Sequence, residues 1–223
     1  MGTIGLMDGV HDMGGMHGFG AVVTDDGADT HHDAWEVRAQ VITLLAGRSM
    51  RDSIERLDPA TYLASSYYER WLRAGEVKFV EQGSITPDDL TRWRDLFEHD
   101  TRARPPVTSN PELVALIGAM KPAHFEPAPD AEFAVGDLVT VRRMRPTAHH
   151  RCPRYVRGAT GAIERVLGAD VVPGAPSGER SVEPVYTVEF DSVDLFGNRE
   201  ASGVDRSHTI LIDLVERYIE PAR

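Results

Sequence analysis

Residues 121–131 read KPAHFEPAPDA, and they separate two different patterns in this 223-residue chain. Pro122, Pro127 and Pro129 remove backbone N–H donors and push the residue before each proline out of the helical region. Neither a regular helix nor a central strand is expected to run through such a stretch. We predict a linker over residues 122–132, with helices before it and strands after it, and therefore an α+β fold class.

The part of the chain before the linker carries repeated helix-start signals. In each of them, a side chain that can cap the first backbone N–H groups is followed by proline or by an acid. The signals are Asp33-Ala-Trp-Glu36, Ser66-Tyr-Tyr-Glu69, Thr86-Pro87-Asp88-Asp89 and Asn110-Pro111. A further short helix is expected from about Met50 to Leu57, ending before Pro59. We predict a helical domain over residues 31–121.

Short runs rich in β-branched residues follow the linker, separated by turn signals. They are Leu138–Val141, Ala162–Val166, Val185–Phe190 and Thr209–Leu214. Four or five such strands in one domain favour a small closed barrel, because closure removes exposed sheet edges. We predict an SH3-like β-barrel over residues 133–223.

Residues 1–30 are rich in glycine and contain few side chains that could fill a core. Neither of the glycine patterns that cradle a phosphate between a strand and a helix is present in them. We therefore predict an extended N-terminal arm over residues 1–30 that is flexible or wraps a partner protein.

Composition limits the classes of function. The formal charge is −11, from 24 basic and 35 acidic residues, which argues against nucleic acid or an anionic membrane as a partner. Cys152 is the single cysteine, so the chain has no internal disulfide framework and no metal site built from several cysteines. A cytoplasmic location is expected. The pairs His31-His32 and His149-His150 lack the helical spacing of metal ligands, and no metal site is predicted in this chain.

Residues 142–157 hold six arginines and no acid. An anionic counterpart is expected near them, because concentrated like charges repel one another. The same segment runs into Arg157-Gly-Ala-Thr-Gly161, a glycine turn that is typical of SH3-like barrels, some of which bind RNA. RNA binding by a basic barrel is therefore one alternative function.

Several blocks of sequence, in the same order, resemble the β subunits of nitrile hydratases. The most specific blocks are Met7-Asp-Gly-Val-His-Asp-Met-Gly-Gly-Met16 and His150-Arg-Cys-Pro-Arg-Tyr-Val-Arg-Gly158. Further matches are Arg51, Glu55-Arg-Leu-Asp-Pro59, Tyr67-Tyr-Glu-Arg70, Gly136-Asp137 and Tyr186-Thr-Val-Glu-Phe190. The resemblance implies a subunit of a hydro-lyase that hydrates nitriles to amides and that is not active as this chain alone.

In that family, a cysteine cluster of the α subunit binds non-haem iron or non-corrin cobalt, and two of its cysteines are oxidised to sulfenate and sulfinate. The resemblance implies an αβ or α2β2 hetero-oligomer, with the metal bound by the partner α subunit and a small-molecule nitrile as substrate. It places Arg51 and Arg151 on the sulfur oxyanions. A guanidinium suits this task because it stays protonated and offers a planar fork of donors.

Other site residues follow from the same resemblance. Tyr67 matches a tyrosine that lines the pocket, and with Arg51 and Arg151 it completes the predicted catalytic set. Glu55 matches a carboxylate in the hydrogen-bonded surroundings of the site, as such outer partners orient the inner residues. Trp71 matches an aromatic pocket residue, and Tyr68 is predicted beside it.

Two related classes are alternatives to a nitrile hydratase subunit. One is a subunit of thiocyanate hydrolase, although there the halves matching this chain are usually separate polypeptides. The other is a chaperone that matures the metal centre, since such proteins resemble the N-terminal half. The presence of Arg151 in the predicted barrel argues against the chaperone.

Overall fold

The computed structural model describes residues 9–16, 18–21, 31–45, 50–100, 125–128, 130–145, 149–172, 181–197 and 208–223. Two compact units account for them. A helical unit contains Gly9–His11 and the described residues of Phe19–Pro122. A sheet unit contains the described residues of Asp12–Gly18 and Ala123–Arg223. The predicted α+β class is confirmed, whereas the predicted helix start at Asn110-Pro111 lies outside the described residues.

The described helices of the helical unit are α1 (Ala34–Leu45), α2 (Met50–Glu55), α3 (Pro59–Ala64), α4 (Tyr67–Glu81) and α5 (Pro87–His99). Two capping boxes form as predicted. Thr86 N donates to Asp89 Oδ2 at 3.0 Å and Asp89 N donates back to Thr86 Oγ1 at 3.1 Å. At α4, Ser66 N donates to Glu69 Oε2 at 2.7 Å. These contacts satisfy backbone donors that the first turn leaves unpaired.

Helix α3 is a departure from the sequence prediction. Pro59 was expected only to end the preceding helix, but it also occupies the first turn of α3. Asp58 caps that turn, since its Oδ1 accepts from Ala60 N and Thr61 N at 3.0 Å each. Proline fits the first helical turn because the N–H it lacks would have no partner there.

The sheet unit contains five antiparallel strands in the order β4-β3-β2-β1-β5. Their bounds are β1 (Leu138–Val141), β2 (Thr160–Val172), β3 (Ser181–Asp191), β4 (Thr209–Val215) and β5 (Ile219–Pro221). A short helix, α6 (Ser192–Phe196), follows β3. Single 3-10 turns cover Arg154–Val156 and Glu216–Tyr218. Strand β1 has the predicted bounds, β2 is longer than predicted, and β5 was not assigned from the sequence.

A cluster of buried side chains from the strands forms the core of the sheet unit. Its fully buried side chains include Tyr186 and Phe190 of β3, Ile163 of β2 and Leu214 of β4. Burial of apolar surface at about 25 cal/mol per Å² is the main force that holds such a sheet together. Gly161 on β2 leaves room for this packing, because a Cβ there would lie 2.5 Å from the carbonyl oxygen of Glu189.

The predicted closure of the sheet into an SH3-like barrel is not confirmed. β4 and β5 are the two ends of the strand order, and no pairing joins them within the described part of the sheet. The predicted linker pairs with the sheet through an antiparallel bridge between Glu126 and Ala169 of β2. None of the helices in the described ranges is long and apolar enough to cross a membrane.

Candidate functional site

Helix α2 carries two of the predicted site residues, one turn apart. Arg51 is exposed and forms no ion pair with another described residue. Glu55 is largely buried, and its Oε2 lies 3.7 Å from Nε2 of His11, which belongs to the same unit. The two residues could have formed a helix-surface pair. Instead, the carboxylate of Glu55 faces the arm and the guanidinium of Arg51 is left exposed.

The start of helix α4 presents three aromatic rings. Tyr67 is 61% exposed, whereas Tyr68 is 5% exposed and stacks on His31 with ring centroids 4.9 Å apart. Trp71 follows one turn later, 5.9 Å from the ring of Tyr67. Burial raises the pKa of Tyr68. Tyr67 and Trp71 therefore form an accessible aromatic surface, and Tyr68 anchors it to the helical unit.

Arg151 lies in the sheet unit, just before the 3-10 turn that begins at Arg154. Its side chain is exposed and pairs with no acid of the described ranges. Its backbone N–H donates to the hydroxyl of Tyr218 at 3.5 Å. The next residue, Cys152, is 1% exposed, and burial raises the pKa of its thiol to about 11. Cys152 is thus an inert, protonated core thiol beside an accessible arginine.

Arg157 forms a buried ion pair that sequence reasoning did not identify. Its Nη2 lies 3.5 Å from Oδ2 of Asp12, and the two side chains are only 7% and 8% exposed. The signal available in the sequence was the excess of arginine, which predicted an anionic counterpart without naming it. Asp12 supplies that counterpart from the N-terminal arm.

Two further arginines of the cluster are also engaged within the sheet unit. Arg142 donates to the carbonyl oxygen of Ile219 at 3.0 Å and lies 3.0 Å from Glu220. Arg154 donates through Nη2 to the carbonyl oxygen of Asp12 at 3.1 Å. Half of the six arginines therefore serve the fold of this unit, which reduces the basic surface that an RNA partner would need.

The predicted site residues divide between the two units. Arg51, Glu55, Tyr67, Tyr68 and Trp71 lie in the helical unit, and the structure brings the three aromatic residues together. Arg151 lies in the sheet unit.

Metal-binding side chains do not gather in the part of the chain that the structure describes. It contains no group of three or more His, Cys, Asp or Glu residues that could hold an ion. His31 is engaged by Gln40 at 2.7 Å and by Tyr68. His150 accepts from the backbone N–H of Cys152 at 3.2 Å. The described residues therefore do not fit a metal centre of their own.

Comparison with known proteins identifies the family. The N-terminal model of the nitrile hydratase beta subunit matches residues 7–115, and the C-terminal model matches residues 122–221. The nitrile hydratase subunit beta of Pseudomonas putida is 34% identical over 97% of this chain and 100% of its own length. The low-molecular weight cobalt-containing nitrile hydratase subunit beta of Rhodococcus rhodochrous is also 34% identical, with the same coverage.

A thiocyanate hydrolase relative covers less of the chain. The thiocyanate hydrolase subunit alpha of Thiobacillus thioparus is 32% identical over 41% of this chain and 73% of its own length. The two family models, in contrast, match both halves of the chain to one class of protein, the β subunit of a hetero-oligomeric enzyme. The chain belongs to the nitrile hydratase β-subunit family, and the resemblance found in the sequence is confirmed.

Proposed function

We propose that this chain completes the active site of a nitrile hydratase, a hydro-lyase that converts a nitrile to its amide, as the partner of an α subunit. The observation that carries the proposal is the match to both β-subunit models, which together span residues 7–115 and 122–221. The relatives from Pseudomonas putida and Rhodococcus rhodochrous are similar to this chain over their whole length.

The metal of the proposed enzyme is cobalt or iron, held by the α subunit. Two relatives are cobalt-containing by name. The described residues of this chain offer no cluster of three or more ligands. When bound there, the metal supplies Lewis-acid chemistry for the addition of water to the nitrile.

Arg51 and Arg151 are proposed to bind the oxygen atoms of oxidised cysteines in the α subunit. Each guanidinium is exposed in its own unit and is not neutralised by a described acid. An unpaired arginine on a surface that becomes buried needs an anion, because an unpaired buried charge is strongly destabilising. Sulfenate and sulfinate oxygens meet that need, and two parallel N–H donors hold them in a defined orientation.

The aromatic surface on α4 is proposed to form part of the substrate pocket. Tyr67, with its ring exposed, would present its hydroxyl to groups of the α subunit, and Trp71 would line the pocket. Tyr68 supports them from inside the unit. Glu55 would act in the hydrogen-bonded surroundings of the site, since its carboxylate is held inside the helical unit beside His11.

We also propose that the sheet curls into an SH3-like barrel within residues 133–223, after a linker over residues 122–132. Five flat strands would separate the edge strands by about 19 Å, at a spacing of about 4.8 Å. Only three residues lie between Val215, the last of β4, and Ile219, the first of β5. Such a connection spans at most about 14 Å, so a flat sheet does not accommodate it. Bulges in β2 near Glu164 and Leu167 add local bend and twist.

The assembly and the domain organisation of the chain are part of the same proposal. The enzyme is an αβ or α2β2 hetero-oligomer in the cytoplasm, and residues 1–30 act as an arm ahead of a helical domain over residues 31–121. An obligate partner is consistent with apolar side chains exposed on the helical unit, such as Trp93 and Leu96 of α5.

Co-expression with the α subunit tests the function. The purified pair is expected to form a stable complex by size-exclusion chromatography with light scattering and to convert a nitrile to its amide. This chain alone is expected to show no such activity and no stoichiometric cobalt or iron by metal analysis. A metal-loaded, active β chain without partner would overturn the proposal. Turnover of thiocyanate but of no nitrile would replace it with the thiocyanate hydrolase alternative.

A further inference from the structure

We propose that the buried ion pair between Asp12 and Arg157 positions Arg151, so that a residue of the N-terminal arm sets the geometry of the anion clamp. The proposal rests on the function proposed above for Arg151, and it adds two positioning residues that act through it. All of the residues involved lie in the sheet unit.

One oxygen of Asp12 ties together both ends of the 3-10 turn Arg154–Val156. Asp12 Oδ2 accepts from the backbone N–H of Arg154 at 2.9 Å, and it lies 3.5 Å from Nη2 of Arg157, just after the turn. Both charged side chains are more than nine-tenths buried. A buried guanidinium that lost its carboxylate would be strongly destabilised, so the position of Arg157 depends on Asp12.

The guanidinium of Arg157 in turn holds the residue directly after Arg151. It donates to the carbonyl oxygen of Cys152 from Nε at 3.3 Å and from Nη2 at 3.0 Å. Nη2 also lies 3.5 Å from Nε2 of His150. Nη1 donates to the carbonyl oxygen of Met144 at 3.3 Å, which fixes the incoming segment. Arg157 therefore holds the backbone directly after Arg151, whereas its approach to His150 is a contact without a hydrogen bond, because Nδ1 of His150 accepts from Cys152 N and Nε2 carries the proton.

Arg151 has little of its own to hold it in place. Its side chain is exposed, and its backbone N–H reaches the hydroxyl of Tyr218 at a long 3.5 Å. A bidentate contact to an oxyanion is directional, so a shift of the backbone at Arg151 would misalign both donors. The hydrogen bonds from Arg157 to the carbonyl oxygen of Cys152 thus fix the backbone from which the side chain of Arg151 extends.

Two glycines allow the N-terminal arm to pass close enough to the sheet unit for Asp12 to reach Arg154 and Arg157. Gly14 packs flat against Tyr155, since a Cβ there would lie 2.4 Å from Cε1 of that ring. Gly15 has φ of +73°, a conformation that other residues rarely adopt. These two glycines, which carry no phosphate-binding pattern, are explained by the close course of the arm along the sheet unit.

The test uses the complex with the α subunit and two readouts, of which only one depends on activity. Cys152 is the single cysteine of this chain, and it accepts the contact from Arg157, so its alkylation reports opening of this segment. Iodoacetamide labelling followed by peptide mapping separates Cys152 from thiols of the partner. Asp12→Asn is expected to speed alkylation by about tenfold or more, because a buried thiol reacts only from the opened segment.

Val188→Ala, which removes a buried side chain of β3, is the control for a general loss of stability. Val188→Ala is expected to lower the midpoint of thermal unfolding, but to raise the rate of Cys152 alkylation less than Asp12→Asn does.

The second readout is a double-mutant cycle in turnover. Asp12→Asn is expected to lower kcat with a smaller change in KM, and to add little to the loss caused by Arg151→Lys, since both changes act on one donor group. Asp12→Glu, which keeps the charge, is expected to recover part of the loss. Where Asp12→Asn fails to assemble, Arg157→Lys and Asp12→Glu carry the same measurements.

Separate results decide the two proposals. If Asp12→Asn labels at the wild-type rate, or if the losses in kcat multiply independently, the positioning role is wrong. If Arg151→Lys leaves turnover unchanged, the clamp is wrong, while faster labelling in Asp12→Asn would still support the ion pair as the element that holds this segment.

Discussion

Tyr68 stacks on His31 with 4.9 Å between ring centroids and 22° between ring planes, whereas its neighbour Tyr67 is exposed. The two tyrosines are adjacent on α4, yet one is 5% exposed and the other 61%. Adjacent residues on a helix point about 100° apart, so one can pack inside the unit while the next faces a partner. The pair therefore places a packing residue directly beside a residue that we propose to face the substrate pocket.

Tyr68→Ala is expected to lower the free energy of unfolding by about 3–5 kcal/mol, the usual cost of removing a large buried aromatic ring. Urea denaturation followed by circular dichroism measures it. Tyr67→Ala is the matched control and is expected to cost less than about 1 kcal/mol, because its ring is exposed. Equal losses in the two variants would mean that Tyr68 does not anchor α4.

Tyr67→Phe is expected to lower kcat by roughly twofold to tenfold and to leave the unfolding midpoint unchanged. The substitution removes one hydroxyl, and a single hydrogen bond is worth about 0.5–1.5 kcal/mol. Steady-state kinetics of the complex with a nitrile give the measurement. Unchanged kcat with an intact complex would remove Tyr67 from the catalytic set.

Arg51→Lys and Arg151→Lys are each expected to slow turnover by roughly tenfold to a hundredfold. Lysine keeps the charge but loses the planar fork, and a hydrogen bond to a charged group is worth about 1.5–3 kcal/mol. Mass spectrometry of the partner's cysteines would show whether their oxidation also becomes incomplete.

Arg165→Lys is a suitable control for these two variants, because Arg165 is exposed on β2 and pairs only with the adjacent Glu164 among the described residues. Arg154 is a poorer control, since it donates to the backbone of Asp12 and to Met16 Sδ. Near-wild-type turnover in all three lysine variants would contradict the clamp. Parallel losses of activity and of RNA binding would favour the basic barrel instead.

The sheet unit is expected to lose stability as pH rises from about 10 to 12. Burial and the hydrogen bond to Glu216 raise the pKa of Tyr186 to about 12, above the value of about 10 in an unfolded chain. The folded state therefore keeps a proton that the unfolded state releases in this window. Stability from this group is complete below pH 10 and falls by about 1.4 kcal/mol per pH unit above it. Tyr186→Phe should remove one proton from the pH dependence measured by denaturation; an identical slope in both proteins would contradict the prediction.

Gly161→Ala is expected to destabilise the sheet unit by about 1–3 kcal/mol or more, the usual cost of overpacking. The new Cβ would lie 2.5 Å from the carbonyl oxygen of Glu189 and 2.8 Å from both Phe190 and Val188. Gly136→Ala is the control, because it meets open space and tests only a positive φ of 94°. Thermal unfolding of both variants makes the comparison, and a larger loss in Gly136→Ala would contradict the crowding at Gly161.

Features decided by neighbours in sequence were the most predictable. The capping boxes at Ser66 and Thr86 follow from residues three apart, and β1 follows from a short run rich in β-branched residues next to a turn signal. Strand β5 was missed because three residues ending in Pro221 carry no pattern until β1 pairs with them. The extension of β2 beyond Val166 was missed because it passes through Gly168, and a glycine predicts the end of a strand. In the structure, Gly168 continues the strand with φ of +124°, where the chain lies close to Glu126 of the linker.

The candidate site was less accessible to local reasoning. Arg51 and Arg151 were identified only through resemblance, because an exposed arginine on a helix or loop looks the same whether it binds a partner or faces water. The pair of Asp12 with Arg157 joins opposite ends of the chain, and sequence patterns predicted the need for an acid without its position.

The shielding of Cys152 has a consequence for selective oxidation. A thiol with a pKa of about 11 is ionised to roughly one part in ten thousand at pH 7, and only the thiolate reacts readily with oxidants. In the assembly proposed above, cysteines of the partner gain oxygen atoms, and this chain would meet the same oxidant. Burial at 1% exposure would keep the sulfur of Cys152 out of that chemistry. The sheet unit would then accompany the maturation of its partner without being oxidised itself.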